Sequence, residues 1–510
     1  MIDVAEQPDA PSQAAQVVAQ LDLKLQEIDP DAEVKALRNP IDAAAAGIPM
    51  HCTDLGNAER FAYYARNKAV YCEERKTWMT WDGRRWSPSD TGVIRLAIDI
   101  LRKIPHEVSA FRPYAGMPDD AMETALKALR KHALASERST APKAMLELAR
   151  AMPGMCRRSK FFDRDPLLFT CKNGTINLRT GELKPHDPRD YITMQSEVKY
   201  VPDAKSPLLD GFLNYACKGD ADILGFLQRA AGYSISGSIA EKSFFFFIGP
   251  PDSGKSTFLE ALQTAMGEYC KVLPFDSLLQ RDTSAVRNDI AQLAGARFVY
   301  SSEAESGKRL SEGLVKALSG GDTIAARFLY GEFFTFLPSL KLWLSTNPET
   351  APRIADLDAA LWRRCKRIPF DQSVPEAKRN PAIKEQLIDP DSEAAQAMLA
   401  WTVNGCLSWQ QQRLTPPQAI IDATEAYRKE QDPILGFLED CCVINPIARV
   451  KTQDLRRAYD AWCSDQGTKP ISLNAFGERL KSRGCTPGNS HGQRTWSGIG
   501  LAESYDNTTI

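Results

Sequence analysis

The spacing of hydrophobic positions changes repeatedly along the chain, and each change predicts a new element. Residues 1–50 are rich in Ala, Gln, Asp and Pro and read as a mobile leader. Within it Val18, Leu21, Leu25 and Ile28 share one helical face. Residues 51–205 read as an α+β region. A helical opening is followed by a hairpin, Thr77–Trp81 and Arg84–Trp86, around an Asp82-Gly83 turn. Residues 92–160 carry helical periodicity with Arg, Lys and His outward. A second hairpin over Leu168–Leu178 turns at Asn173-Gly174, and the extended stretch HDPRDYITMQSEVKYVPDA reads as a linker.

The pattern tightens over 206–375. Leu208–Gly232 reads as helical, with Leu209, Phe212, Ile223, Phe226 and Leu227 as core positions. Phe244–Ile248 is a continuous apolar run, the signature of a strand buried on both faces. Phe258, Leu259, Leu262, Ala265 and Met266 then recur at helical spacing. Arg297–Ser302 reads as a strand, Gly307–Leu318 as a helix burying Leu310, Leu314 and Leu318, Arg327–Phe336 as two strand halves, and Leu340–Thr346 as another buried strand. This alternation predicts an α/β core with a parallel sheet. Residues 376–430 read as a helical lid. In 431–510 two amphipathic helices, Thr452–Trp462 and Leu473–Arg483, flank a turn at Gly467 and precede a glycine-rich hairpin ending in Trp496, an order that suggests a winged-helix-like domain.

Composition narrows the class without choosing a function. The 510 residues are 43% hydrophobic and 25% charged, with a net charge of −2, so a globally basic nucleic-acid binder is excluded and a local basic channel is not. No apolar run approaches a membrane span, and the first residues lack a basic start and apolar segment, which predicts a cytoplasmic location. The twelve cysteines and five histidines are scattered, which disfavours a disulfide framework or zinc site. Trp78, Trp81 and Trp86 fall within nine residues. Packing of a small sheet is the favoured reading, and base stacking the alternative.

The chemistry lies between the strand and helix at 244–266. Gly249-Pro250-Pro251-Asp252-Ser253-Gly254-Lys255-Ser256-Thr257 is a Walker A phosphate loop in its required context. Glycines let backbone N–H groups curl round phosphates, Lys255 supplies a cation to the β- and γ-phosphates, and Ser256 offers a hydroxyl to Mg²⁺. The strand ending at Glu303 has the Walker B pattern: a carboxylate at the end of a neighbouring parallel strand lies beside the metal and the attacking water. Glu305 shares that role or begins the next loop. Asn347, at another strand end, suits a group that senses the γ-phosphate or orients water. Arg363, Arg364, Lys366 and Arg367 crowd into five residues, from which one guanidinium could serve a neighbouring subunit as an arginine finger.

The ordered set GPPDSGKS, VYSSEAESGKRL, LVKALSGGDTIAARFLYGEFFTF, LKLWLSTN and ALWRRCKRIPF resembles the superfamily 3 helicases of phage, plasmid and large-virus replication proteins. NAERFA, WMTWDGRRW and KNGTINLRTGELKPHD resemble the region before the ATPase in phage and plasmid primase-helicases. The resemblance covers residues 54–370. It implies an AAA+ core assembled as a hexameric ring, moving 3′ to 5′ on single-stranded DNA with ATP or dATP and Mg²⁺ in a bacterial host cytoplasm. By that resemblance Lys255 and Ser256 hold phosphate and Mg²⁺, Glu303 activates water, Asn347 senses the γ-phosphate, and Arg363 or Arg364 reaches the neighbour's site. Arg327, Tyr330 and Lys316 become candidates for gripping DNA, although the hairpin tip Tyr330-Gly331-Glu332 lacks the expected basic residue. Only about fifty residues precede the hairpin region, so priming is expected to belong to a separate primase or polymerase.

Between Arg449 and Arg494 nine cations face four carboxylates, an excess that suits DNA phosphates, with Arg479, Lys481 and Arg483 on the candidate recognition helix. A protein-docking module of the same fold is the alternative. Two other functions share these motifs: a phosphate-loop kinase acting on a small molecule or nucleotide, and an ATP-dependent origin-binding or loading protein that does not unwind processively.

Overall fold

The computed structural model describes residues 37–280, 287–302, 309–328, 333–352, 354, 359–432, 434–466, 469–490 and 492–502. The helix expected at Val18–Ile28, Gly307, Glu303, Glu305, the hairpin tip at Tyr330 and the turn at Gly467 lie outside them. The chain forms two compact units. One contains the residues up to Pro166 with 173–175 and 184–195; the other contains 167–172, 176–183 and everything from Ser196 onward.

The first unit builds a small sheet against helices. Its elements are α1 (Pro40–Ala45), α2 (Asp54–Tyr64), β1 (Ala69–Cys72), β2 (Thr77–Trp81), β3 (Trp86–Pro88), α3 (Asp90–Leu101), α4 (Ile104–Ala110), α5 (Asp119–Ala135), α6 (Thr140–Ala149) and β4 (Cys156–Arg157). The sheet order is β3-β2-β1-β4. The β2–β3 turn forms because the Asp82 carboxylate accepts from the backbone N–H groups of Arg84 and Arg85 at 2.8 and 2.9 Å and Gly83 takes φ 102°. One face of the sheet places Ala69 and Trp78 against Phe61, Val93, Ile100 and Met145; the other places Val70, Met79 and Trp86 with Phe162. Trp78 and Trp86 are buried, so these two tryptophans pack the sheet. Beneath the helices Arg60 and Glu107 form a fully buried pair with two bonds of 2.7 Å, and Arg60 Nη1 and Nη2 donate to the carbonyls of His51 and Met50 respectively. The guanidinium's donors are used by a carboxylate and by the chain entering α2, the condition for tolerating charge in a core.

The chain then passes through β5 (Leu168–Cys171), β6 (Gly174–Asn177) and β7 (Glu182–Lys184) into the second unit. The helical segment expected over 208–232 is present as two helices, α7 (Pro207–Ala216) and α8 (Ala221–Ile235). Lys218 and Gly219 both take positive φ, which ends α7, and Asp220 caps α8 through the N–H groups of Asp222 and Ile223.

Five parallel strands form the centre of this unit: β8 (Phe244–Ile248), β9 (Cys270–Val272), β10 (Phe298–Ser302), β13 (Lys341–Thr346) and β14 (Cys365–Pro369), in the order β14-β8-β13-β10-β9. The apolar run at 244–248 is buried on both faces, as its sequence predicts. Phe244 and Phe246 join a cluster with Leu342, Leu344, Trp362 and Tyr427, whereas Phe245 and Phe247 meet Phe226, Phe258, Trp343 and Phe370. After β8 comes α9 (Lys255–Met266). Between β10 and β13 lie α11 (Glu312–Gly320) and a hairpin, β11 (Ile324–Ala326) with β12 (Phe334–Phe336); α10 (Asn288–Ala291) precedes β10, and α12 (Ala359–Arg364) leads into β14.

Residues 376–430 form α13 (Pro381–Ile388), α14 (Glu393–Gln412) and α15 (Gln418–Glu430). α14 crosses α8 backbone to backbone: a Cβ added at Gly232 would stand 2.0 Å from the amide nitrogen of Cys406, and one at Gly405 would stand 2.0 Å from the carbonyl oxygen of Gln228. The last segment holds α16 (Leu435–Cys441), β15 (Cys442–Lys451), α17 (Thr452–Asp465), α18 (Leu473–Lys481), β16 (Thr486–Ser490) and β17 (Gln493–Leu501), with sheet order β15-β17-β16. Phe437, Leu455, Tyr459, Phe476, Leu480 and Trp496 fill its core. Along the long strand β15, Val443, Ile444 and Ile447 are all exposed.

At the start of β13 the Lys341 ammonium is fully buried and donates to the carbonyls of Ser236, Ser238 and Ser339 while lying 4.9 Å from the Tyr233 ring. Arg297 donates to the Ile235 carbonyl at 3.0 Å. Two cations thus satisfy the carbonyl end of α8. Burial, with the like charge of Arg297, holds the Lys341 pKa well below the ordinary lysine value. Lys341→Met leaves buried carbonyls without donors and should destabilise this unit by about 1–3 kcal/mol. Because the folded state releases the Lys341 proton before the unfolded one does, the wild type should gain stability relative to this variant as pH rises through the alkaline range toward lysine's ordinary pKa. Thermal unfolding of both proteins across that range measures both effects.

Candidate nucleotide site and its surroundings

The phosphate loop begins where β8 ends, and its position is fixed by its neighbours. β8 pairs with β14 up to Ile248↔Pro369 and with β13 up to Ile248↔Thr346. A Cβ at Gly249 would lie 2.1 Å from the Phe370 carbonyl oxygen, so only glycine permits this approach. Asp252 and Gly254 take φ 57° and 88°, turning the loop into α9. Gly254 faces the Phe212 ring of α7, where a Cβ would be 3.0 Å from Cε2. The Lys255 ammonium is folded into the loop, donating to the carbonyls of Gly249 and Pro250 at 2.7 Å and to Ser253 Oγ at 3.0 Å. Burial pulls its pKa below the ordinary lysine value, against the opposing charges of Asp252 and Asp371. Ser256 is exposed on the first turn of α9. A loop with two positive-φ residues, a lysine curled inside it and a twelve-residue helix starting at Lys255 fits a nucleotide's phosphates, with the Ser256 hydroxyl available to Mg²⁺.

A strap after β14 braces the loop from outside. Ser373 Oγ donates to the Pro251 carbonyl at 2.7 Å, the Val374 N–H to the Asp252 carbonyl at 2.9 Å, and Tyr215 of α7 donates to the Ser373 carbonyl at 2.9 Å. Arg379 pairs with the Asp252 carboxylate at 2.9 Å. Sequence reasoning missed Tyr215, Ser373 and Arg379, since none carries a local motif; their role emerges only when the strap lies against the loop.

Strand order orients the remaining candidates. β13 stands between β8 and β10, so β10 is next but one to the phosphate-loop strand and not adjacent to it, as the sequence had suggested. Asn347 directly follows the Thr346↔Ile248 pair and therefore stands beside the start of the loop. β10 ends at Ser302, registered with Ser345; Glu303 and Glu305 follow outside the described residues.

The arginines separate. Arg364 of α12 donates to the Lys316 carbonyl at 2.6 Å and lies 3.5 Å from Ser319 Oγ, whereas Arg363 is exposed. Both precede Cys365, which pairs with Phe244 at the far end of β8 from the loop. At roughly 3.3 Å per strand residue, they lie about 15 Å along the sheet from their own phosphate loop. The β11–β12 hairpin carries exposed Phe328 and Phe333. Arg327 lies 4.7 Å over the Phe333 ring, Phe328 stacks on Phe334 at 5.6 Å, and Lys316 is half-buried on α11. In the last segment Arg479 and Arg483 both engage the buried Asp432 carboxylate, and Lys481 pairs with Glu478 at 2.7 Å on the exposed side.

Three family descriptions match the chain: D5 N terminal like over residues 58–217, Family of unknown function (DUF5906) over 247–364, and Poxvirus D5 protein-like over 429–483. Relatives in large viruses include "Putative helicase L207/L206" of Acanthamoeba polyphaga mimivirus, 26% identical over 321 residues, covering 59% of this chain and 33% of that protein. "Putative helicase 022R" of Frog virus 3 (isolate Goorha) is 24% identical over 382 residues, covering 59% and 39%. "Putative helicase V13" of Sputnik virophage is 24% identical over 292 residues, covering 52% and 36%. The chain thus spans between a third and two-fifths of the length of these relatives. Among solved structures, the apo A form of the NrS-1 C-terminal region aligns with a TM-score of 0.45 and 10% identity over 85% of this chain and 96% of that one. Among the described residues no helix is long and apolar enough to cross a membrane.

Gly249→Ala should lower the melting temperature by several degrees, since forcing a methyl group against backbone costs about 1–3 kcal/mol, and should abolish stabilisation by ATP. Arg379→Ala, which removes a half-exposed ion pair worth about 1 kcal/mol or less, should leave the nucleotide-free melting temperature nearly unchanged. Thermal unfolding with and without ATP and Mg²⁺ compares the two.

Proposed function

We propose that the chain is an ATP-driven DNA helicase of the superfamily 3 type, built on an AAA+ core and assembled as a hexameric ring. The observation that carries this reading is the hairpin inserted between two paired strands of the ATPase sheet. β10 and β13 are hydrogen-bonded neighbours, yet the chain between them leaves the sheet to build β11–β12 with exposed Phe328 and Phe333 and the Arg327 guanidinium. Aromatic faces and a cation suit unstacked bases and backbone phosphates of single-stranded DNA. A phosphate-loop kinase has no use for such a device.

In this reading the loop binds ATP or dATP through its backbone N–H groups and Lys255. The anionic phosphates favour the charged ammonium against the burial that depresses its pKa. Ser256 and Glu303 would hold Mg²⁺, which would supply charge neutralisation at the phosphates. Glu303 takes the proton of the attacking water, and Asn347 orients water or the γ-phosphate. Arg363 lies too far along the sheet to serve its own loop, so it acts as the finger of the neighbouring subunit. The winged-helix-like segment adds contacts to single-stranded or forked DNA, with Lys481 on its exposed side. Movement runs 3′ to 5′. The D5-like matches and the helicase names of the viral relatives support this reading. The second reading, a loader that hydrolyses ATP without processive unwinding, shares the same residues.

Single-stranded DNA should stimulate ATP hydrolysis, and the protein should displace a strand from a forked duplex; Lys255→Ala should do neither. Hydrolysis stimulated by DNA with no strand displaced would favour the loader. Arg363→Ala should hydrolyse poorly alone yet recover activity when mixed with Lys255→Ala, because each lacks a different half of a shared site. Phe328→Ala and Phe333→Ala should each weaken single-stranded DNA binding by about 1–3 kcal/mol, measured by fluorescence anisotropy.

A further inference from the structure

Arg363 and Arg364 are adjacent in one short helix but differ in what they meet. The Arg364 guanidinium is drawn inward to the C-terminal part of α11, where it donates to the Lys316 carbonyl at 2.6 Å and approaches Ser319 Oγ at 3.5 Å. Ser319 Oγ itself donates to the Val315 carbonyl at 2.7 Å. A cation at a helix's carbonyl end interacts favourably with the helix dipole as well as with its bonding partner. The fit around it is tight: a Cβ on Gly320 would lie 2.7 Å from Arg364 Nη1. One residue on, Gly321 takes φ 81°, and a Cβ there would lie 2.4 Å from Ile239 Cδ1. The end of α11 is therefore held from two sides. Gly321, Asp322 and Thr323 are all that separate it from β11. Arg363 is exposed, and its carbonyl accepts from Lys366 Nζ at 2.5 Å.

We infer that Arg364 is a positioning residue that joins the finger helix α12 to α11 and, through it, to the β11–β12 hairpin. Engagement of Arg363 by a neighbouring subunit's nucleotide then displaces the hairpin on the same chain. The inference rests on the helicase reading above and assigns the second arginine a task distinct from hydrolysis. A lone surface arginine would not need a glycine cleared for its guanidinium. Arg364 has one, at the point where α11 turns toward the hairpin.

The test uses the full chain with Gly320→Ala, Arg364→Met and Arg364→Lys. Gly320→Ala pushes the guanidinium off its carbonyl without removing any group that touches nucleotide. Its assembly and its hydrolysis without DNA should match the wild type, while stimulation by single-stranded DNA should fall about fivefold or more, the lower end of ordinary coupling between sites. Arg364→Met should lose stimulation to a similar degree. Arg364→Lys, which keeps a donor for the Lys316 carbonyl, should regain part of it. Hydrogen exchange of residues 309–328 and 333–340, with and without a non-hydrolysable ATP analogue, supplies a readout independent of unwinding. Nucleotide should change hairpin exchange in the wild type and not in Arg364→Met. The inference is overturned if Arg364→Met loses DNA-free hydrolysis as fully as Arg363→Ala, or if its hairpin exchange responds to nucleotide as the wild type does. Should the wild type hydrolyse ATP without responding to DNA, the helicase reading fails, and the exchange comparison alone decides the link between Arg364 and the hairpin.

Discussion

The contact between Gly249 and the Phe370 carbonyl is the constraint on which the candidate nucleotide site depends. With no side chain at 249, β8 and β14 stay in register to their last residues, and the loop leaves the sheet at one defined point. The strap that follows Phe370 then fastens to Pro251 and Asp252, so the edge strand that sets the loop's origin also supplies its outer brace. Four consecutive phenylalanines give this arrangement its rigidity. Each face of β8 meets a separate set of aromatic and aliphatic side chains, and rotating the strand would cost both.

A second device recurs through the second unit: cations from distant parts of the chain close the carbonyl ends of helices. Arg297 and Lys341 reach the end of α8, and Arg364 reaches that of α11. Each tie joins a strand, or the helix feeding one, to a helix elsewhere in the sequence. Charged side chains thereby do what capping glycines do locally, and they also fix the helix relative to the sheet.

Much of this was legible in the sequence, and the exceptions share a cause. The apolar run at 244–248, the phosphate loop, the strand before Asn347 and the Asp82-Gly83 hairpin are local signals carried by residues close in sequence. Strand order is not local. Nothing in the text of 297–303 or 340–347 says that β13 lies between β8 and β10, because parallel pairing is decided by crossovers. Arg363 and Arg364 look alike in a run of four cations; only the position of α11 distinguishes them. Likewise the cationic excess at 449–494 suggested free phosphate contacts for Arg479 and Arg483, yet Asp432, just before that window, draws both inward. The tryptophans at 78 and 86 needed a second layer of helices before packing could be distinguished from base stacking.

The crossing of α8 and α14 carries a mechanical consequence. Two helices that approach this closely at glycine backbones, and are tied further by the Gln228 side chain on the Trp401 carbonyl and by Tyr233 packed against Trp409, turn as one shaft. The three-helix segment after the sheet is therefore poorly suited to flap over the phosphate loop as a hinged cover. Any swing produced by the site must turn α14 together with α8, and thus with the very helix that leads into the phosphate-loop strand.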